Sequence, residues 1–422
     1  MNHDILISAD MEEFRAARIE DGCLTELKVY SRVDPSPIGK IYLGRIIHIA
    51  TNINAAFVNI GKDQNGFLSF GRTATRSNSK CDGELETSAT SSVLHEGQVI
   101  MTQVVADPIS TKSAILTTNI SLPGQFVVYV PAETGVVLSR QITDDVQRCR
   151  IQKVVEGLYK SLRVPQGRLI IRTAATRAGT RDLSNDIQTL LAEWQLILNA
   201  TSHTAPPTCI WGEIDPLNQL LRDVCAGNTR RILFDSKEYY RRAVQYCQKK
   251  LPHFTDCVEL FGGPGSLFSQ YKIEEKMQGA LMREQKLPSG AVITIDETEA
   301  FTAIDVDTRS FAQTTNPSVT TTRVNREAAQ EIARQLRLRN IGGLIIVDFL
   351  DPKTENDRLQ LLETVRIAVS HDIIHTRVSH VSPSGITEIR RQRQRASLRT
   401  YLTEPCCHCD ATGRTLDIGR LS

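Results

Sequence analysis

Apolar and polar residues alternate through the first 35 positions (Ile5 and Ile7; Ala17 and Ile19; Leu24, Leu27 and Val29), a period-2 pattern that predicts two or three strands before the break at Pro35-Ser36-Pro37. From Ile41 to Ser69 short strand-like runs are punctuated by Gly44, Asn52, Asn54, Gly61 and Gly66, the spacing of a small barrel. Its later strands are expected near Val99-Ile100-Met101 and Ser113-Ala114-Ile115-Leu116, beyond a Ser/Thr-rich loop over 73–92. Helical spacing follows over 144–163 (Val146, Cys149, Val154, Val155, Leu158, Leu162). Pro165-Gln166-Gly167 then turns the chain into a strand over 168–171, and a second amphipathic helix is expected over 184–199. Short helices and strands mix over 215–285. Residues 291–307 read as a hairpin, and Asn325 is placed as the N-cap of a helix whose Ala328, Ala329, Ile332, Ala333 and Leu336 share one face. Gly342-Gly343 should stop that helix before a buried strand at 344–347. Hairpin, helix and parallel strand in that order fit an α/β layer.

Carboxylates stand at the ends of two of these apolar runs. Alternation puts Asp305 and Asp307 on one face of their strand, and Asp348 follows Leu344-Ile345-Ile346-Val347. If the two strands are neighbours, Asp305 and Asp348 converge, and like charges so close repel unless a divalent cation lies between them. The pair is therefore a candidate Mg²⁺ site; the competing reading makes them ordinary strand-end acids.

With 422 residues the chain exceeds one core, and at roughly 100–200 residues per domain it should hold two to four. The net charge of +2 excludes neither nucleic acid nor any other partner. No apolar stretch approaches the roughly 20 residues of a membrane span and no signal-peptide layout opens the chain, so a cytoplasmic protein is expected. Seven of the ten cysteines are scattered, as in a reduced protein, and three cluster at Cys406, Cys407 and Cys409.

Three segments carry a resemblance. Ile41-Tyr42-Leu43-Gly44-Arg45, with Ala55-Ala56-Phe57-Val58-Asn59-Ile60-Gly61 and Gly66-Phe67-Leu68, resembles the S1-type RNA-binding barrel of the bacterial ribonuclease E/G family. Leu116-Thr117-Thr118-Asn119-Ile120-Ser121-Leu122-Pro123-Gly124 resembles that family's link to its 5′ sensor. Asn325-Arg326-Glu327-Ala328-Ala329 through Leu344-Ile345-Ile346-Val347-Asp348-Phe349 is the most specific match. The resemblance, closest to compact ribonuclease G-like members, implies an α+β multidomain fold. An RNase H-like region (1–38 and 208–285) would hold an inserted S1 (OB-type) β-barrel (39–120) and a 5′-sensor domain (121–207). A DNase I-like α/β catalytic region (286–400) and a zinc link (401–422) would follow.

The implied activity is Mg²⁺-dependent endonucleolytic cleavage of single-stranded RNA, in rRNA and tRNA processing and mRNA decay. By the same resemblance Asp305 and Asp348 hold the Mg²⁺, Asp307 stands where asparagine is common, and Asn325 orients a carboxylate or a water. Phe57 and Phe67 stack a base beside Lys112, while Gly124, Val128, Arg172 and Thr173 bind the RNA 5′-phosphate. His375 stands where the family contributes a further arginine, with Arg377 two residues on. Cys406 and Cys409 are half of a tetrahedral zinc site completed by a second subunit, which implies a homodimer; Cys407 or His408 could instead complete it locally. Because the chain ends soon after this motif, a dimer rather than the family's tetramer is expected. The Arg-rich run over 388–399 reads either as a solvated helix face or as an RNA-backbone contact. The Asn-Pro-rich stretch 314–322 replaces a more acidic family segment. The rivals are a non-catalytic RNA-binding or ribosome-assembly protein on the same scaffold, which has no need of the carboxylate pair, and a DNA nuclease, which suits an S1-type barrel less well.

Overall fold

A computed structural model describes residues 3–33, 35–69, 94–108, 112–139, 142, 144–162, 164, 167–213, 215–225, 229–308, 317–370, 372–404 and 406–407, with the backbone alone at 177 and 317–320. The 73–92 loop, residues 314–316, His408 and Cys409 lie outside them. The fold is mixed α/β, and the chain divides into two compact units, residues 1–23 with 28–271 and residues 24–27 with 272–422. Among the described residues no helix is long and apolar enough to cross a membrane.

In the first unit, His3–Ala9 pairs antiparallel with Glu13–Glu20 and parallel with Thr229–Phe234, so segments more than 200 residues apart share one five-stranded sheet. Alternate residues of these strands (Ile5, Ile7, Ile232, Phe234) pack with Leu217, Leu220, Ala243 and Cys247 of the helices Pro216–Val224 and Lys237–Lys250. Asp4, buried on the first strand, accepts hydrogen bonds from Arg230 Nε at 2.8 Å and from Arg231 Nη2 at 2.7 Å. Burial by itself would raise the Asp4 pKa, but the two guanidinium groups outweigh it and hold the carboxyl at about 2, below its ordinary 3.8. Since the folded value is the lower one, the ion pairs stabilise the protein above the ordinary carboxylate range and lose that contribution as pH falls towards about 2. Asp4→Asn should therefore cost about 1–2 kcal/mol at neutral pH, discounted for the solvent around Arg230. Urea titrations of both proteins should converge when repeated near the folded pKa.

Strands Ile41–Ala50, Ala55–Asn59, Gly66–Ser69, Ile115–Thr117 and Val99–Ala106 form a closed five-stranded, OB-like barrel, the last strand pairing back onto the first. Gly66–Ser69 and Ile115–Thr117 run parallel, the other barrel pairs antiparallel, and Thr208–Trp211 joins the edge of the first strand. A four-stranded sheet follows, ordered Gly135–Leu138, Arg168–Ile171, Val127–Val130, Leu122–Pro123. It packs through Val127, Tyr129, Leu169 and Ile171 with Ile151 and Val155 of the helix Asp145–Ser161 and with Leu183, Ile187 and Leu190 of the helix Thr180–His203. Asp144 caps the first of these helices by accepting from the Val146 and Gln147 amides.

The second unit is a six-stranded sheet ordered Glu284–Lys286, Val292–Glu297, Thr302–Asp307, Gly343–Asp348, Ile386–Arg391, Thr376–Val381. The expected hairpin is its second and third strands. Ala328, Ala329, Ile332, Ala333 and Leu336 form the buried stripe of the helix Pro317–Leu338, packed with Ile304, Val306, Ile345 and Val347. Three expectations are corrected here. Asn325 is no N-cap: the helix begins at Pro317, which places Asn325 inside it and leaves its side chain for a partner elsewhere. Asn340, in the left-handed region at φ 51°, makes the helix stop ahead of the glycine pair, and Gly343 already begins the next strand. The Arg-rich run is a strand through Arg391, so alternation sorts its charges. Arg390 points out and pairs with Glu388, whereas Arg391 is buried, with Nε 2.6 Å from Asp372 Oδ2 and Nη1 donating to the Ile341 carbonyl.

Candidate functional site

Strand periodicity delivers the carboxylates to one place. Along Thr302–Asp307 the residues Thr302, Ile304 and Val306 face the core while Asp305 and Asp307 are exposed; along Gly343–Asp348, Ile345 and Val347 are buried and Asp348 is exposed. The two strands are parallel neighbours, and their register sets Asp305 directly opposite Asp348. Backbones of paired strands lie about 4.8 Å apart, so the carboxylates share one local field. Burial raises the Asp348 pKa, and the charges of Asp305 and Asp351 raise it further. Asp351 is the acid that spacing arguments passed over; its only signal was its place three residues after Asp348.

Among the described residues no three His, Cys, Asp or Glu side chains are grouped to enclose a metal. Two adjacent carboxylates nevertheless suit Mg²⁺, which keeps several waters and is commonly bound through one or two carboxylates plus substrate phosphate. The repulsion at Asp348 is what a divalent cation would relieve. Asn325 acts on this end of the sheet from behind: its Nδ2 donates to the Leu350 carbonyl at 2.8 Å and its Oδ1 accepts from the Leu350 amide at 3.0 Å. The buried carboxamide thus ties the segment between Asp348 and Asp351 to the helix.

On the barrel, Ala56, Val58 and Leu68 fill the interior, and alternation leaves Phe57 and Phe67 half-buried on the outer wall. They are register partners with ring centroids 5.8 Å apart at 70°, and His48 stacks on Phe57 at 6.5 Å and 17°. His48 was not anticipated, because a bulge between Ile46 and His48 breaks the alternation that would have predicted its side. Lys112 is exposed beside the strand that begins at Ile115.

Gly124, Val128, Arg172 and Thr173 come together at one end of the four-stranded sheet. Arg172 Nη1 donates to the Gly124 carbonyl at 2.7 Å, its amide donates to Phe126 O at 2.8 Å, and Val128 is the register partner of Ile170. Burial pushes the Arg172 guanidinium pKa down, against the attraction of Asp186 and Asp223. His375, in the second unit, is exposed ahead of the strand Thr376–Val381, and Arg377 is exposed on it. Cys406 is exposed; Cys409 lies outside the described residues.

Like charges kept in register at a sheet end serve no packing purpose, and a chain that holds them along with a ring-walled barrel falls in the class of nucleic-acid-processing enzymes. Comparison with known proteins narrows the class. Residues 121–394 match the model of the Ribonuclease E/G family. Ribonuclease G of Salmonella typhimurium is 33% identical over 422 residues, covering 99% of this chain and 86% of that protein. Ribonuclease G of Escherichia coli K12 is 34% identical over 424 residues, with the same coverage of 99% and 86%. Ribonuclease E of Haemophilus influenzae is 33% identical over 425 residues, covering 100% of this chain and 45% of that longer protein. The chain belongs to the ribonuclease E/G family.

Proposed function

We propose that this endoribonuclease cuts single-stranded RNA with a divalent cation, Mg²⁺, held by Asp305 and Asp348, and that it senses the RNA 5′ end. The observation that carries the reading is the Asp305–Asp348 register across parallel strands. A binding-only role gives no account of it. Bound Mg²⁺ supplies Lewis-acid stabilisation of the charge that develops on a phosphodiester undergoing attack. The chain's own groups do the rest: Asp305 and Asp348 furnish hard anionic ligands, Asp307 adds negative charge on the same face, and Asn325 keeps the Asp348 turn in place. The OB-like barrel acts as an S1-type domain, with Phe57 and Phe67 as stacking platforms and Lys112 against a phosphate.

Gly124, Val128, Arg172 and Thr173 form the 5′-phosphate pocket, in which a guanidinium and a hydroxyl grip phosphate oxygens. The first unit's five-stranded sheet takes the RNase H-like part and the second unit the DNase I-like part, in a cytoplasmic enzyme of rRNA and tRNA processing and mRNA decay. Purified protein should cut an A/U-rich single-stranded RNA in Mg²⁺ and not in EDTA, faster with a 5′-monophosphate than with a 5′-hydroxyl. Equal cutting in EDTA would remove the metal from the reading.

Zinc belongs to the same proposal. Cys406 and Cys409 supply two of the four ligands of a tetrahedral site, so two chains share one ion. Metal analysis with light scattering should find about one zinc per two chains in a dimer, and replacing both cysteines by serine should release the metal and give folded monomers. One zinc per chain on a monomer would assign the missing ligands to Cys407 or His408.

A further inference from the structure

The loop that carries Gly124 is built around a carboxylate from another element. Asp186, in the second turn of the helix Thr180–His203, accepts three consecutive backbone amides: Gln125 on Oδ1 at 3.0 Å, and Phe126 and Val127 on Oδ2 at 2.8 and 3.0 Å. Three convergent amides form an anion-binding nest, and here the protein fills it with its own side chain. The approach is so close that a Cβ at Gly124 would stand 2.7 Å from both carboxylate oxygens and 2.8 Å from the Val127 carbonyl. Gly124 is therefore required for space beside Asp186. From its other side the same loop is held by Arg172, through the Gly124 and Phe126 carbonyls. Burial raises the Asp186 pKa, opposed by the three amides and by Arg172.

We propose that Asp186 is the positioning residue of the 5′-end pocket: its carboxylate fixes the 124–127 loop and the Arg172 guanidinium relative to each other, and so sets the preference for a monophosphorylated RNA end. This rests on the 5′-sensing reading above. The carboxylate takes up the three loop amides, which leaves Arg172 and Thr173 as the phosphate-gripping groups. It also supplies the charge that holds Arg172 beside the loop despite burial. A side chain that only packed the helix would need neither a negative charge nor two acceptor oxygens.

Asp186→Asn tests this, because the amide keeps the shape but replaces one acceptor oxygen by an NH₂ that faces amide donors, breaking at least one of the three bonds. KM and kcat are measured for one RNA carrying either a 5′-monophosphate or a 5′-hydroxyl, alongside a melting curve. The ratio of kcat/KM for the two RNAs should fall about tenfold in the variant, through a higher KM for the monophosphorylated RNA with kcat unchanged, as misplacement of a binding group by a fraction of an ångström produces. A folded variant that keeps the wild-type ratio, or raises KM equally for both RNAs, overturns the assignment while 5′ sensing stands. Absence of any 5′ preference in the wild type overturns the sensing reading and this assignment with it. Should Asp186→Asn not fold, Asp186→Glu, which keeps the charge and both acceptors but displaces them by one methylene, decides by the same ratio.

Discussion

Replacing either Asp305 or Asp348 by asparagine is expected to abolish RNA cleavage while leaving RNA binding within a few-fold of wild type. On the proposed reading each substitution removes a hard anionic ligand from the place where the two strands set the carboxylates opposite each other, and asparagine keeps the shape. A metal's Lewis-acid contribution of several kcal/mol corresponds to about three powers of ten in rate, which sets the scale of the loss. Stability should move the other way or not at all. In EDTA the folded wild type bears the burial and the neighbouring Asp305 charge that raise the Asp348 pKa, and either variant relieves that repulsion, so neither should melt below wild type. Both readings come from one preparation: single-turnover cleavage in Mg²⁺ and a melting curve in EDTA. Near-wild-type cleavage by both variants would remove the carboxylate pair from the chemistry, and a large drop in melting temperature would make them structural acids.

The second large effect is expected in binding. Phe57→Ala and Phe67→Ala should each weaken single-stranded RNA binding by about 1–3 kcal/mol, roughly 5- to 150-fold, as loss of a base-stacking ring does. Their placement separates this from a core effect. Both rings sit half-buried on the outer wall of the barrel, whereas their neighbours Val58 and Leu68 are interior. A fully buried phenylalanine cut to alanine costs about 3–5 kcal/mol of folding stability. The half-exposed pair should lose much less, partly through their own edge-to-face contact at 5.8 Å. Binding titrations with a short single-stranded RNA, set beside urea melts, distinguish the two. A stability loss on the core scale with binding reduced only in proportion to unfolding would return both rings to the core.

Local pattern was enough wherever one element faces one core. Alternation along Thr302–Asp307 put Asp305 and Asp307 on the exposed side, and the 3.6-residue stripe from Ala328 to Leu336 is the buried face of its helix. The barrel strands at Ile41–Ala50, Ala55–Asn59 and Gly66–Ser69 and the helix Asp145–Ser161 were legible for the same reason, as turn residues and apolar spacing act within a few positions of the chain.

Where the pattern misled, a longer-range contact had outweighed it. Asn325 has the side chain of a good N-cap, yet its carboxamide is used up on both backbone groups of Leu350, 25 residues away. The arginines after Glu388 looked like one charged face until pairing with Gly343–Asp348 made them a strand and turned Arg391 inward onto Asp372.

The sequence by itself determined most of the strands and helices, the face on which Asp305 and Asp307 lie, and the residues that carry the family resemblance, because these depend on periodicity and local chemistry. Only the tertiary structure decided that Asp305 faces Asp348, that Asp351 adds its charge to theirs, that His48 stacks on Phe57, and that Asp186 gathers the amides of the Gly124 loop. Those facts rest on strand register, on a bulge, and on the docking of a helix some 60 residues further along the chain. Hydrophobic burial across the whole unit sets such relations, and no window of local sequence contains them.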